Sequence, residues 1–328
     1  MSIHSTQVAA LVQDIGNKAI IDGYAKHPPI YPQFCDVRQH DPRNEFGLKF
    51  TAYTGAGKFK ETEEFEANFS DTIAKARSGQ VKVREWTKSF QVAYRTLDAI
   101  GAVGKVGDDI VKNATMWGVA ALRTKDDFVA GVLQYGTLTA GSTKYFDNSY
   151  TDNADPNAKF IFDGLPFFDT AHTDLSAATY SNHEPTGSLT AANLETYLNT
   201  MRSTNAVDDR GEVIYNEPDV LVVPPGLEQT AIRVIQSEFQ PGSANNDVNA
   251  IRNRFKVVSN PFIRLAASAS AGWLGTAGVG LFVVEDGIPV LTTTADPIHR
   301  CVIVSAVMKY GAGVEDWRPW FNFGKAAA

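Results

Sequence analysis

Apolar residues between Val8 and Tyr24 fall at Val8, Leu11, Val12, Ile15, Ala19 and Ile20, the three-and-four spacing that lines one face of a helix. Pro28 and Pro29 stop this pattern, because a proline ring cannot continue the hydrogen-bond ladder. From there to Phe46 the chain is rich in proline, polar and charged residues. It has too few apolar positions for a core of its own and reads as an extended arm. Phe46, Leu48, Phe50 and Ala52 then alternate with small or polar residues, the period of a half-buried strand, until Gly55 and Gly57 interrupt it. Residues 58–80 mix charges with scattered aromatics, and an extended pattern resumes at Val81 and runs to Tyr94. A two-stranded excursion with so little core is marginal alone and needs another surface to rest on.

The longest helical pattern runs from Gly107 to Leu138, with Ile110, Ala114, Trp117, Ala121, Phe128 and Val132 near one face and Asp108 and Asp109 at the electropositive start. At ~1.5 Å per residue it spans roughly 45 Å. Gly118, Gly131 and the polar stretch Thr124 to Asp127 predict a bend or a break in it. A polar loop follows over Asp147 to Asn157, and Thr190 then offers an N-cap for the apolar set Leu194, Tyr197, Leu198 and Met201. The β-branched run Val220 to Val223 halts at Pro224-Pro225, and a helix from Leu227 to Ser237 and a strand from Phe255 to Val258 come next. Asp286-Gly287 offers a tight hairpin turn before Ile288-Pro289-Val290-Leu291. Cys301 to Tyr310 reads as a long strand, and Trp317, Trp320, Phe321 and Phe323 lie in a last extended stretch. The Gly/Ala/Ser-rich run Ala266 to Gly280 reads as a loop or an edge segment.

With 328 residues, 44% of them hydrophobic, the chain can build one elaborate fold or two subdomains. Its apolar runs are far shorter than the roughly 20 residues a membrane helix needs, and the N-terminus lacks the pattern of a signal peptide, so a cytoplasmic site of synthesis is expected. The formal charge of −7 opposes strong, sequence-independent attraction to phosphate backbones. Cys35 and Cys301 are the only cysteines and have no CxxC or metal-like spacing, so no disulfide and no metal site are expected.

Asp169 and His172 lie three residues apart and are the one pair that suggests acid/base chemistry. A metal would need further ligands, there is no GxSxG elbow, and Gly101-Ala102-Val103-Gly104 lacks the GK[ST] ending of a phosphate loop. A hydrogen-bonding loop histidine is the preferred reading, and neither catalysis nor a cofactor is expected.

The segment Leu221-Val222-Val223-Pro224-Pro225-Gly226-Leu227-Glu228, running on through Thr230-Ala231-Ile232-Arg233 to Asn245-Asn246-Asp247-Val248-Asn249-Ala250-Ile251, resembles the major capsid (major head) proteins of tailed phages with the Hong Kong 97 fold. Two further stretches fit the same family in the same order: Tyr31-Pro32-Gln33, and Gly164-Leu165-Pro166-Phe167-Phe168-Asp169-Thr170-Ala171-His172-Thr173 with Tyr180-Ser181-Asn182. The likeness runs from about Ile20 to Phe323, and Mu-like major head subunits are among the relatives it is similar to.

The resemblance implies an α+β, Hong Kong 97-like fold. Residues 1–45 form an N-terminal helix and arm, 46–95 an E-loop, 96–214 a P-domain with its spine helix at about 107–138, 215–295 an A-domain, and 296–328 the C-terminal strand of the P-domain. It implies self-assembly into hexamers and pentamers of an icosahedral head that encloses double-stranded DNA without sequence-specific binding. The expected partners are further copies of the chain, a separate scaffold protein, a portal and a decoration protein; no membrane is involved, and assembly takes place in the host cytoplasm. The arm, which in this family lies across a neighbour, should bury its aromatics only on assembly. Tyr31, Phe34, Phe59, Phe65, Phe69, Arg84 and Trp86 are the expected inter-subunit anchors, with packing inside one subunit as their alternative. Some relatives form Lys–Asn cross-links, which singles out Lys58 or Lys60 with Asn322. An encapsulin-like compartment shell, a head-completion or tail protein, and a soluble hydrolase using Asp169 and His172 remain as alternatives.

Overall fold

The computed structural model describes residues 5–41, 48–53, 61, 64, 75–93, 103–137, 163–174, 177–241, 247–264 and 270–324. In chain order its elements begin with α1 (Ser5–Tyr24), β1 (Asp36–Gln39), β2 (Leu48–Tyr53), β3 (Lys75–Val81), β4 (Arg84–Ala93) and α2 (Val103–Gln134). The short strands β5 (His172–Thr173), β6 (Thr179–Tyr180) and β7 (His183–Glu184) lead to α3 (Ala191–Asn199), β8 (Val220–Val223), α4 (Pro225–Gln236) and β9 (Lys256–Ser259). The chain closes with β10 (Gly272–Gly275), β11 (Leu281–Glu285), β12 (Val290–Asp296), β13 (Cys301–Val314) and β14 (Trp320–Phe323). The expected loop over Asp147 to Asn157 lies outside the described residues.

The first sheet is built on β13. Val307 pairs with Val290 of β12 and with Thr87 of β4, so those strands occupy opposite edges. Tyr310 pairs with Glu285 of β11 and Arg84 of β4, which puts β11 on the same edge as β12. The two are therefore one interrupted strand, antiparallel to β13. Between the pairs Glu285↔Tyr310 and Val290↔Val307, residues 286–289 face only residues 308–309. The Asp286-Gly287 turn thus makes a bulge rather than the expected hairpin reversal, with Gly287 at φ +89 and the Asp286 amide still donating to the Lys309 carbonyl. The reversal itself falls at residues 297–300, where Arg300 takes φ 50. β1 adds in parallel to the outer edge of β11.

The second sheet runs β7-β14-β10-β8-β9. β8, α4 and β9 form a parallel crossover unit, and all four residues of β8 are buried because both faces are covered. Leu221, Val223, Leu274, Phe321 and Phe323 pack on the α3 and α4 side. Val220, Val222, Trp273 and Trp320 pack into a core shared with α2, β11 and β13. The Gly-rich run departs from expectation here, because β10 is a central strand between β14 and β8. Its glycines are steric rather than flexible: a Cβ at Gly272 would strike the Phe323 ring and one at Gly275 the Trp320 ring. Strands β14 and β7 join β8 and β9 in the second sheet, while β4 belongs to the first.

Helix α2 is continuous for 32 residues, about 48 Å at ~1.5 Å each. The expected break at Thr124 to Asp127 is absent, because the polar groups there find partners: Thr124 donates to the Ala120 carbonyl, and Lys125 and Asp126 bond to other segments. Thr190 caps α3 as expected, its hydroxyl accepting from the Asn193 amide at 3.2 Å.

Candidate functional site

Two places join the β2–β3 hairpin and the arm to the rest of the chain. At the first, β2 and β3 form an antiparallel hairpin whose root packs on the first sheet through Phe50, Val81, Phe282 and Val284. Phe50 meets the Phe282 ring edge-on at 5.6 Å, and the Arg38 guanidinium lies over the Phe282 ring, 4.2 Å from its centroid. Where β3 crosses β13, Val81 and Lys82 press on Gly311 and Gly313, positions where any side chain would collide. The surface that the excursion needs is thus, at its root, its own subunit.

The second place is a buried polar knot on α2. Lys125, 0% exposed, donates to Glu285 Oε2 at 2.7 Å, to the Gly287 carbonyl at 2.5 Å and to the Tyr24 hydroxyl at 3.2 Å. All three ammonium protons are satisfied. Tyr31 donates its hydroxyl to the same Glu285 oxygen at 2.9 Å. Beside it Asp126 Oδ1 accepts from the Ile30 and Tyr31 amides, both at 3.0 Å, and so caps the short turn Tyr31–Gln33. Burial, and then the Glu285 charge, push the Tyr31 phenol far up; burial also raises Asp126, against the pull of its two amide bonds. Burial, followed by Asp126, raises the Cys35 thiol as well, and Cys35 and Cys301 are both buried and free.

These contacts correct the expectation for the arm. Tyr31 and Phe34 are 2% and 0% exposed within one chain, with Phe34 edge-on to Trp320 at 6.1 Å, so they are core residues before any neighbour arrives. Trp86 is likewise half-buried in its own subunit, stacked on Tyr310 at 5.1 Å and edge-on to Phe128, and Arg84 stands opposite Tyr310 on β4. Phe59, Phe65, Phe69, Lys58 and Lys60 lie outside the described residues. Asn322 is 0% exposed, and its amide donates to the Gly272 carbonyl inside the second sheet, out of reach of an attacking lysine.

His172 does not pair with Asp169. Its Nδ1 faces Asp163 Oδ2 at 2.5 Å, its Nε2 faces Asn182 Oδ1 at 3.2 Å, and its ring stacks on Trp317 at 4.4 Å. Asp169 instead accepts from the Ala171 amide. Asn182 is oriented by backbone groups, accepting from the Asp169 amide and donating to the Phe167 and Trp317 carbonyls, so its oxygen does face His172. The histidine is 0% exposed and ties three segments together; a buried ring cannot meet a substrate.

Lys125, Asp126, Asp163 and Glu285 were not singled out from the sequence. The signal for the first was available: Lys125 lies four residues after Ala121 and three before Phe128, on the apolar face of the helix. Also unforeseen were the exposed apolar loop residues Tyr215, Ile298, Val248 and Val213, at 102%, 85%, 80% and 68% exposure.

The body of the subunit is thus two sheets packed on one long helix, with the root of the β2–β3 hairpin on the first sheet and apolar side chains standing out on loops. Residues 78–322 match the phage capsid protein family, and the chain belongs to that family. The capsid structure of Cyanophage P-SCSP1u is similar to it over 92% of this chain and 89% of that one, at 13% identity and a TM-score of 0.52, and the fold is the Hong Kong 97-like capsid fold. Mycobacterium phage Che8 gives 12% identity, coverage of 92% and 93%, and a TM-score of 0.48. No curated protein matches the sequence.

Proposed function

We propose that this subunit assembles into the hexamers and pentamers of a phage head that encloses double-stranded DNA, in the host cytoplasm, with a separate scaffold protein, a portal and a decoration protein as partners. The observation that carries the reading is the set of apolar side chains on separate loops, Tyr215 and Val213 on one, Val248 on a second and Ile298 on a third. Each alone is ordinary. Placed on three separate loops, they suit many modest contacts that add up only when all neighbours are present. The net charge of −7 fits a container that does not grip its DNA. A likeness to Mu-like heads in particular remains part of this proposal.

The test is size-exclusion chromatography and negative-stain microscopy of the expressed protein, with and without a co-expressed scaffold. Capsomers or closed shells are expected, and DNA rather than a cargo enzyme should accompany shells formed during infection. A monomer that persists with scaffold present, or tubes in place of shells, would overturn the reading.

A further inference from the structure

The knot around Lys125 joins three segments far apart in the chain. Tyr24 ends α1, Tyr31 lies in the arm, and Glu285 with Gly287 forms the bulge between β11 and β12. The bulge is what makes the knot possible. Four residues set against two push the Gly287 carbonyl out of the β-ladder, with φ +89, and turn it toward the ammonium. An uninterrupted strand would use that carbonyl in the sheet.

Apolar burial also fastens the arm, with Tyr31, Phe34 and Cys35 in the shared core and the Phe34 carbonyl accepting from the Gly278 amide, so the knot is its buried polar fastening. β1 is four residues long, pairs in parallel with one edge, and carries Arg38 bonded to Asp36 and Glu315 with all three side chains at least a third exposed. Exposed pairs of this kind hold little. The Ile30 and Tyr31 amides bond to Asp126, the residue next to Lys125. By contrast, the Lys125–Glu285 pair is 0% and 14% exposed by side chain, and removing one member leaves the other charge without its partner.

We propose that Lys125 and Glu285 form the latch of a strap running from Tyr24 to Gln39: loss of this buried charge pair loosens the strap, β1 included, while β4, β11, β12, β13 and the second sheet stay folded. Helix α1 keeps its own packing on α2 and β12 through Ala19, Ile20 and the Gly23–Gly118 contact, so the latch governs the strap and not the helix. That the strap shifts during assembly rests on the shell reading above, whereas the latch itself can be measured in unassembled subunits.

The experiment is hydrogen exchange of the unassembled full chain, wild type against Lys125→Met and Tyr31→Phe, followed on peptides covering residues 24–39 and, as a reference, β8 and β10. Lys125→Met should speed exchange in the strap roughly a hundred-fold or more. Tyr31→Phe, which keeps the ring and removes only the hydroxyl, should speed it about three- to ten-fold. β8 and β10 should be unchanged in both. Unchanged strap exchange, or an equal rise in β8 and β10, overturns the latch. If Lys125→Met does not fold, Tyr31→Phe decides alone: a rise confined to the strap upholds the proposal, and any other pattern overturns it. Shell formation by the wild type is scored in parallel, so failure of the assembly reading is seen separately.

Discussion

Gly23 of α1 and Gly118 of α2 sit at one helix crossing where backbone touches backbone: a Cβ on Gly23 would collide with the Thr115 carbonyl, and one on Gly118 with the Ile20 carbonyl. The glycine that suggested a weak point in the long helix is there to let a second helix approach. Gly118→Ala should therefore destabilise the fold, although alanine is the better helix former by about 1 kcal/mol. The expected net loss is roughly 1–3 kcal/mol, the usual cost of overpacking. Urea denaturation measures it, and a gain in stability would show that the helices part freely.

The crossing of β3 over β13 makes a paired prediction. Gly313→Ala places a methyl group into Val81 and should tilt or loosen the root of the hairpin. Val81→Ala in the same chain should recover much of the loss, because the two sites share one space. A double-mutant cycle on thermal stability reads this; strictly additive effects would mean the contact does not matter.

His172→Ala should cost about 3–5 kcal/mol, since it strands the buried Asp163 carboxylate and empties the space over Trp317. Asp169→Asn should change stability little, because an amide oxygen can still accept from Ala171. Chemical melts of the two variants distinguish this from a shared acid/base role, which would make neither residue matter for folding.

Burial holds the His183 imidazole below the ordinary value of 6.5, against the opposing contact with the Asn322 side chain. The unfolded chain then takes up the proton first as pH falls through 6.5. The stabilisation from a neutral His183 is present above that value and is lost as pH drops from it toward the folded-state pKa. Melting temperatures from about pH 8 to pH 5 should fall more steeply for the wild type than for His183→Asn. Parallel profiles would show that the residue titrates alike in both states.

Denaturing electrophoresis of assembled shells should show only monomer-sized bands if Asn322 is the required partner of a cross-link, because its amide is enclosed between β14 and β10. A ladder of covalent oligomers that disappears with Asn322→Ala would mean that this strand opens in the shell.

Much of the local structure was legible in advance. Period and punctuation alone locate α1, β2, the long helix, the Thr190 cap and the β8-α4-β9 unit, because caps, prolines and apolar spacing act within a few residues. The errors share one cause. Asp286-Gly287 has the chemistry of a hairpin turn, but the same turn serves as a bulge when β13 is long enough to pair on both sides of it. Residues 124–127 look like a break in a helix, yet the arm and the bulge supply partners for their charges. The Gly-rich run looks loose, yet Phe323 and Trp320 need the room it leaves.

What the chain determined by itself, then, is its sequence of helices, strands and stops, and through ordered motifs its family. Only the tertiary structure decided which buried charges are paired, which glycines are contacts, and that Tyr31 and Phe34 belong to the subunit's own core rather than to a neighbour's. The division is physical. Helix and strand signals are carried by neighbours in the chain, whereas burial is set by residues such as Asp126 and Glu285, roughly 95 and 254 positions away from the tyrosine they hold.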